Sequence, residues 1–347
     1  ESTPDFSGKD YVRISSAEDL MAFNRAVNGD KDVDFDDKTV VLLNDIDLAG
    51  LEWTSLDGER IPYITFDGQG HTIRNMTINY GLNRDIDPEG LFVGAGFIGT
   101  VPASAEVTFK NITFEDTKIV ARERHVGCLV GRSLGGACTF ENVTVRNFTV
   151  KNSWADGLHF NACRNVTVDG VTGEETGDDT LAFVTYYAPE FTGKTGTVFS
   201  LPDLGEWNNS NSSAANIRSA GGRANGIRIA GAKDLKISNV EVEGKSSGII
   251  VDAGAVGARH KWQYLAGRGI EIRDVKLRNC DTGFYVWQFN AGLDDPRFAG
   301  FDVKCENFAI SGCRNDSVHL SGVSGVRLKN FRTDGCRWRF RTFRDCA

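Results

Sequence analysis

Gly226-Ile-Arg-Ile-Ala-Gly-Ala-Lys-Asp-Leu235-Lys-Ile-Ser-Asn239-Val-Glu-Val-Glu-Gly-Lys-Ser-Ser-Gly248-Ile-Ile-Val spells out one complete turn of a repeating chain path. Ile227 and Ile229, then Leu235 and Ile237, then Val240 and Val242 alternate with other residues, the period of strands that bury one face. After 22 residues the opening pattern returns at Gly248. The same two strand types run along the chain. Ile64-Thr-Phe, Val107-Thr-Phe, Cys138-Thr-Phe, Val166-Thr-Val, Ile270-Glu-Ile and Val326-Arg-Leu belong to one. Gly157-Leu-His-Phe, Thr180-Leu-Ala-Phe, Gly283-Phe-Tyr-Val and Ser317-Val-His-Leu belong to the other. Leu158 to Val166, Ile227 to Leu235 and Val318 to Val326 are each 8 positions apart. A constant offset inside a coil of fixed length is how a chain winds into a parallel β-helix, each coil pairing with the next at about 4.8 Å. The intervals are too short for crossover helices, which excludes a doubly wound α/β sheet. The expected architecture is therefore all-β, a single solenoid domain over residues 1–347. About 1–60 would form an N-terminal cap and first coils, and 61–347 the remaining coils.

Composition agrees. The chain has 347 residues with 39 Gly, 7 Pro and 2 Met, a turn-dense balance. Its 39 Lys and Arg face 47 Asp and Glu, a net charge of −8, which argues against nucleic acid or an anionic membrane as partner. No apolar run reaches the about 18 residues needed to span a bilayer. Ser15-Ser-Ala-Glu-Asp-Leu20-Met-Ala-Phe23-Asn-Arg-Ala-Val27 carries helical spacing behind a serine cap and is read as a short helix closing one end of the stack. Thr185–Gly222, Ala253–Gly267 and Gln288–Gly300 break the rhythm, each just after the second strand type, so all three are expected as long loops flanking one groove. The chain begins at Glu1 and contains eight Asn-x-Ser/Thr sequences, from Asn75 to Asn315, and secretion is the expectation. Disulfides are expected with it: Cys128 with Cys138, neighbours among Cys280, Cys313 and Cys336, and Cys336 or Cys346 at the tail. Buried free thiols are the alternative.

The chemistry concentrates in two segments, Trp154-Ala-Asp156-Gly-Leu-His159-Phe and Glu174-Glu-Thr-Gly-Asp178-Asp179-Thr-Leu-Ala-Phe. Asp179 follows Asp156 by 23 residues, one coil, so winding would gather Asp156, Asp178 and Asp179. Carboxylates that close cannot all ionise freely, and at least one pKa should rise, as a general acid requires. One such group protonates a glycosidic oxygen while another activates water. Strict alternation from Leu158 would aim Asp156 inward, so this reading requires a bend at the strand start, which Gly157 and Gly177 allow. His159, Ala182, Arg228, Ile250, Tyr285 and His319 form an outward column. The adjoining Gly157, Gly226, Gly248 and Gly283 are read as outward too, leaving room for a sugar chain.

Asp156-Gly-Leu-His and Thr176-Gly-Asp178-Asp179 resemble the aspartate signatures of polygalacturonase-type glycoside hydrolases, which are right-handed parallel β-helices. Ala224-Asn-Gly-Ile-Arg-Ile-Ala-Gly-Ala-Lys-Asp-Leu and Gly248-Ile-Ile-Val resemble the α-1,3-glucanase and mycodextranase relatives. The resemblance covers about Val143 to Asp252. It implies a right-handed coil and an inverting acid/base set made of Asp156, Asp178 and Asp179. The Gly-His-Gly and Arg-Ile-Lys motifs that hold uronate are replaced by Gly222-Arg-Ala-Asn and Arg228-Ile-Ala.

The expectation is a secreted glycoside hydrolase that acts on a polysaccharide, a neutral α-glucan, by inversion, with no cofactor and no metal. Asp179 or Asp156 would be the general acid, the remaining aspartates positioning and deprotonating water. His159, Arg223, Arg228, Asp252, Trp154, Trp207, Tyr285 and Trp287 are the candidate substrate-binding residues. Two rivals stand beside it. One is a Ca²⁺-dependent polysaccharide lyase or epimerase, with the aspartates on the ion and Arg223 or Arg228 near the abstracted proton. The other is a non-catalytic glycan-binding solenoid.

Overall fold

Phe66, Phe109 and Phe140 hold equivalent places in successive coils, and their rings stack at 5.0 and 5.8 Å. Such files of like side chains are what parallel, in-register winding produces. The computed structural model describes residues 6, 10–29, 34–81, 94–122, 125–187, 207–255, 262–289, 294–334 and 337–341. They divide into two compact units, one holding 6–155 with 165–167, the other 156–164, 168–187 and the described residues from 207 onward.

In the first unit, Tyr11–Ile14, Lys38–Leu42, Tyr63–Asp67, Glu106–Glu115 and Ala137–Lys151 pair in that order, every pair parallel. The helix expected near the start spans Ala17–Gly29. Ser16 Oγ accepts the Asp19 N–H at 3.1 Å while Asp19 Oδ2 accepts the Ser16 N–H at 3.1 Å, a reciprocal N-terminal box. Leu20, Phe23 and Val27 are buried, with Phe23 edge-on to Phe66.

In the second unit one sheet runs Thr167–Glu174, Asn209–Ala220, Ala232–Glu243, Arg268–Arg278, Gly300–Ser311 and Ser324–Asp334. The other runs Leu158–Phe160, Leu181–Val184, Asn225–Ala230, Ser247–Gly254, Thr282–Phe289, Asp316–Ser321 and Arg337–Arg341, all parallel. The winding is that of an all-β parallel β-helix. Within the coils the chain bends through left-handed Asn residues, among them Asn216, Asn239, Asn307 and Asn330, with φ between 53° and 62°. Asn tolerates that conformation better than other side-chain-bearing residues. The amide of one coil also donates to the coil before it, Asn239 to Asn216 at 2.6 Å and Asn330 to Asn307 at 3.0 Å. Most sequons fall on such bends, including Asn75, Asn111, Asn142, Asn147, Asn165 and Asn211. Turn geometry explains their number.

Three expectations need correction. The polar run after Trp207 is not loop: Asn209–Ala220 is a strand paired with Ala232–Glu243. Its small polar residues are accommodated by local bonds, Asn209 Nδ2 to the Phe160 carbonyl at 2.7 Å and Ser212 Oγ to the Ser210 carbonyl at 3.1 Å. The remainder of that insertion, 188–206, lies outside the described residues. Second, Gly226, Gly248 and Gly283 do not face outward. A Cβ on them would stand 2.5 Å from Val242, 2.8 Å from Leu277 and 2.6 Å from Ile310, all apolar residues of the opposite sheet. Third, Cys128 and Cys138 are not paired. Cys128, Cys138, Cys280 and Cys305 carry free thiols, and burial pushes the first two up to about 12 and about 11. Cys336 and Cys346 lie outside the described residues.

The inward glycines yield a stability prediction. Gly248→Ala should overpack the core and lower stability by about 1–3 kcal/mol, read as a fall in the urea midpoint at unchanged slope. A neutral or stabilising substitution would mean that the position opens to solvent.

Candidate active site

Asp156 stands two residues before the strand Leu158–Phe160, and Asp179 two residues before Leu181–Val184. Pairing of Leu158 with Leu181 therefore superposes them. The ladder continues past the strands: the Gly157 N–H donates to the Asp179 carbonyl at 2.8 Å and the Leu158 N–H to the Thr180 carbonyl at 3.0 Å. Because both aspartates precede their strands, alternation does not bind them. The bend required of the sequence is present, and at the equivalent Gly226 it takes the form of two successive inward positions, Gly226 and Ile227.

One carboxyl oxygen from each of Asp156, Asp178 and Asp179 lies within 4.8 Å of the others. The three differ in exposure: Asp178 is exposed, Asp156 half-buried and Asp179 buried at 3%. Asp156 Oδ1 accepts the Asp179 N–H at 3.0 Å, and Oδ2 meets His159 Nδ1 at 2.5 Å. Asp179 Oδ1 accepts from the backbone N–H and the amide of Asn225, at 3.1 and 2.7 Å. Burial, then the charge of Asp156, raises the Asp179 carboxyl well above its ordinary range, and the same two causes raise Asp178. The spacing is also one that a Ca²⁺ ion bridges with oxygen ligands. Here positive charge already reaches the trio from Arg228 and Lys245, each of which lowers the Asp178 carboxyl.

His159 lies in the site, its Nε2 buried without a hydrogen-bond partner among the described residues and its ring stacked on Tyr186 at 5.8 Å. Arg228 takes the predicted column position, paired with Ala182 and Ile250. Its guanidinium makes a bidentate bond with buried Asp252, 3.1 Å from Nε and 2.8 Å from Nη2, and lies 5.1 Å over the Tyr264 ring. Asp252 therefore holds Arg228. Arg223 is exposed, and its backbone N–H bonds the Thr176 carbonyl at 2.8 Å.

Tyr285 and Trp287 stack on each other at 5.7 Å, and Tyr285 meets His319 at 4.6 Å. They stand three strands from Leu181–Val184 along the same sheet. Trp207 is held elsewhere, its Nε1 donating to the Ala266 carbonyl at 2.8 Å and its ring facing Arg268. It packs with Tyr187, Leu265 and Phe298, so the described parts of all three interruptions meet on one flank. Trp154 belongs to the first unit, with Arg122 over its ring at 5.3 Å.

Sequence reading missed Lys245, Asn225 and Tyr186. Lys245 sits one coil beyond Arg223, a spacing of 22 residues visible in the sequence, though no pattern marks a lysine as buried.

No family model matches the chain, and no curated protein matches it by sequence. Among solved structures it is similar to the catalytic unit of a thermostable GH87 α-1,3-glucanase from Streptomyces thermodiastaticus, at 14% identity over 94% of this chain and 67% of that one, TM-score 0.44. It is similar to a 1,3-α-1,4-β-D-galactose-4-sulfate-3,6-anhydro-D-galactose-2-sulfate 4 galactohydrolase, at 11% identity over 98% and 94%, TM-score 0.46. It is also similar to the family 28 exopolygalacturonase of Yersinia enterocolitica, at 12% identity over 93% and 75%, TM-score 0.42.

The raised carboxyl of Asp179 sets a pH dependence. Below its ordinary value of 3.8 the folded and unfolded chains both hold the proton. Above it the unfolded chain releases the proton first, so stability falls as pH rises toward the folded value. Asp179→Asn removes that loss. Its Tm should match wild type near pH 3 and exceed it at pH 7, and an equal or lower Tm at pH 7 would contradict the assigned direction.

Proposed function

We propose that this protein is a glycoside hydrolase that cleaves a neutral polysaccharide, an α-glucan, by an inverting mechanism centred on Asp156, Asp178 and Asp179. The observation that carries the reading is the convergence of the three carboxyl groups with unequal exposure. A general acid must hold its proton near neutrality and reach the glycosidic oxygen. Asp178 is assigned that role because its carboxyl is raised from the ordinary range and is open to solvent. Asp156, whose carboxylate accepts the Asp179 N–H, receives the proton of the attacking water, and Asp179 holds that carboxylate in place.

Spacing alone does not favour inversion. Inverting carboxyl pairs stand about 6.5–9.5 Å apart and retaining pairs about 5–5.5 Å, whereas these oxygens lie within 4.8 Å. The hydrogen bonds favour inversion. Both oxygens of Asp156 are engaged, and Asp179 is buried with Oδ1 on Asn225, which leaves neither well placed to bond covalently to a sugar. A water molecule is the freer nucleophile.

A neutral substrate agrees with the cations. Arg228 is half-buried and neutralised by Asp252, and Lys245 is 2% exposed, so of the three nearby cations only Arg223 is fully open to solvent. A uronate chain would call for more. Tyr285 and Trp287, on the same sheet, are the proposed stacking platform for sugar rings farther along the chain. Secretion goes with a polymeric substrate.

Digestion of a panel of α-glucans, pectic chains and alginate tests the reading. Reducing ends from an α-glucan, unaffected by chelator, are expected, with the inverted anomer seen first by proton NMR. Retention would refute the mechanism, and unsaturated UV-absorbing ends lost in chelator would identify a lyase. Asp178→Asn and Asp179→Asn should each lower kcat by about 10²–10⁴-fold while sparing oligosaccharide binding. Unchanged turnover in both would leave a glycan-binding solenoid.

A further inference from the structure

Lys245 is 2% exposed, and its ammonium is surrounded by oxygen atoms of the segment that carries the aspartates. Nζ donates to Thr176 Oγ1 at 2.5 Å, to the Arg223 carbonyl at 2.7 Å and to the Asp178 carbonyl at 3.0 Å, with the Thr176 carbonyl at 3.5 Å. An ammonium has three protons, and three acceptors lie within 3.0 Å. The contact is braced from behind. Thr176 Oγ1 lies 3.2 Å from Thr180 Oγ1, and Thr180 Oγ1 2.7 Å from Ser219 Oγ, all three residues buried. The backbone of Lys245 is fixed as well, its carbonyl accepting the Asp281 N–H at 2.9 Å.

We propose that Lys245 is a positioning residue of the hydrolytic site: from the next coil but one it grips the turn Thr176–Asp179 by two oxygens, ties it to the Arg223 carbonyl, and sets Asp178 and Asp179 against Asp156. The inference rests on the glycosidase reading above. It accounts for a buried cation beside carboxylates that it does not touch through their side chains. Lys245 acts through the Thr176 hydroxyl and the backbone carbonyls of Asp178 and Arg223, and its charge also bears on the trio. The ionisable groups whose charges act on it are Asp179, Asp178, Asp156 and Glu175. Burial outweighs their attraction and brings the ammonium down to about 8, from an ordinary 10.5. Above that pH the neutral amine has two donors for three acceptors, and the turn loses one of its ties.

The experiment compares wild type, Lys245→Met and Asp178→Asn. Thermal melts and circular dichroism establish folding, kcat and KM are measured on α-1,3-linked glucan oligosaccharides, and the aspartate carboxyls are titrated by carbon-13 NMR. Folded Lys245→Met should lose at least about tenfold in kcat with KM changed less than about twofold, and its Asp178 titration should move upward because a positive charge has gone. If Lys245 only holds the core together, the folded variant will show a lower Tm, wild-type kcat and an unmoved Asp178 titration, and the proposal is overturned. Should Lys245→Met fail to fold, the wild type decides. Its kcat must fall above about pH 8 in step with the Lys245 amine followed by nitrogen-15 NMR, and a flat profile to pH 9.5 overturns the proposal. Failure of the underlying reading looks different, since Asp178→Asn would then turn over like wild type.

Discussion

The backbone ladder that sets Leu158 opposite Leu181, and Leu181 opposite Ile227, is the constraint from which the site follows. Parallel pairing admits no slip without turning every buried side chain of a strand outward. It therefore fixes which residues of different coils share a file. One file begins with Asp156 and Asp179 and continues through Asn225, Ser247, Thr282 and Asp316. A polar file at strand starts is tolerable because each member can bond its neighbour at coil spacing. The acid cluster is the end of that file at which two of the places hold carboxylates.

Gathering carboxylates in a partly buried place is destabilising, and the second unit answers with cations held by other means than the trio itself. Arg228 is anchored by Asp252 and by the face of Tyr264. Lys245 is anchored by carbonyl and hydroxyl oxygens. Neither hydrogen-bonds a side-chain carboxyl of the trio among the described residues, so their charge moderates the carboxyl groups without clamping them in the ionised state. A direct ion pair would have pulled the pKa values down, against the needs of the proposed general acid. Charge at a distance leaves them raised.

Much of this was legible in the sequence because periodicity reports register. The 22-residue return at Gly248 and the 8-residue offset after Ile227 place the strands of both sheets, and the 23 residues from Asp156 to Asp179 place the acids. Misreadings arose where period and polarity disagree. Asn209–Ala220 is polar like a loop, yet small residues with locally satisfied bonds fit an inward strand face. Gly226 and Gly248 keep the parity of outward residues, but a local bend turns them onto Val242 and Leu277. Lys245 was invisible for a different reason. Burial of this lysine depends on oxygen atoms contributed by two separate segments, Thr176–Asp178 and Arg223, and no local pattern records such a meeting.

Asp178 and Asp179 illustrate how little of an acid's role is set by its own chemistry. They are adjacent and identical, and both feel Asp156. What separates them is direction. The bend ahead of Leu181 sends Asp179 into the file of Asn225, where two donors hold one oxygen and solvent is excluded. Asp178, one residue earlier, turns to solvent while its carbonyl accepts from Lys245. A proton placed on the outer carboxyl can be handed to a substrate; one placed on the inner carboxyl can only be passed among its neighbours. Two like side chains thus meet unlike surroundings, and under the proposed hydrolytic role that difference is the division acid–base catalysis with paired carboxyls requires.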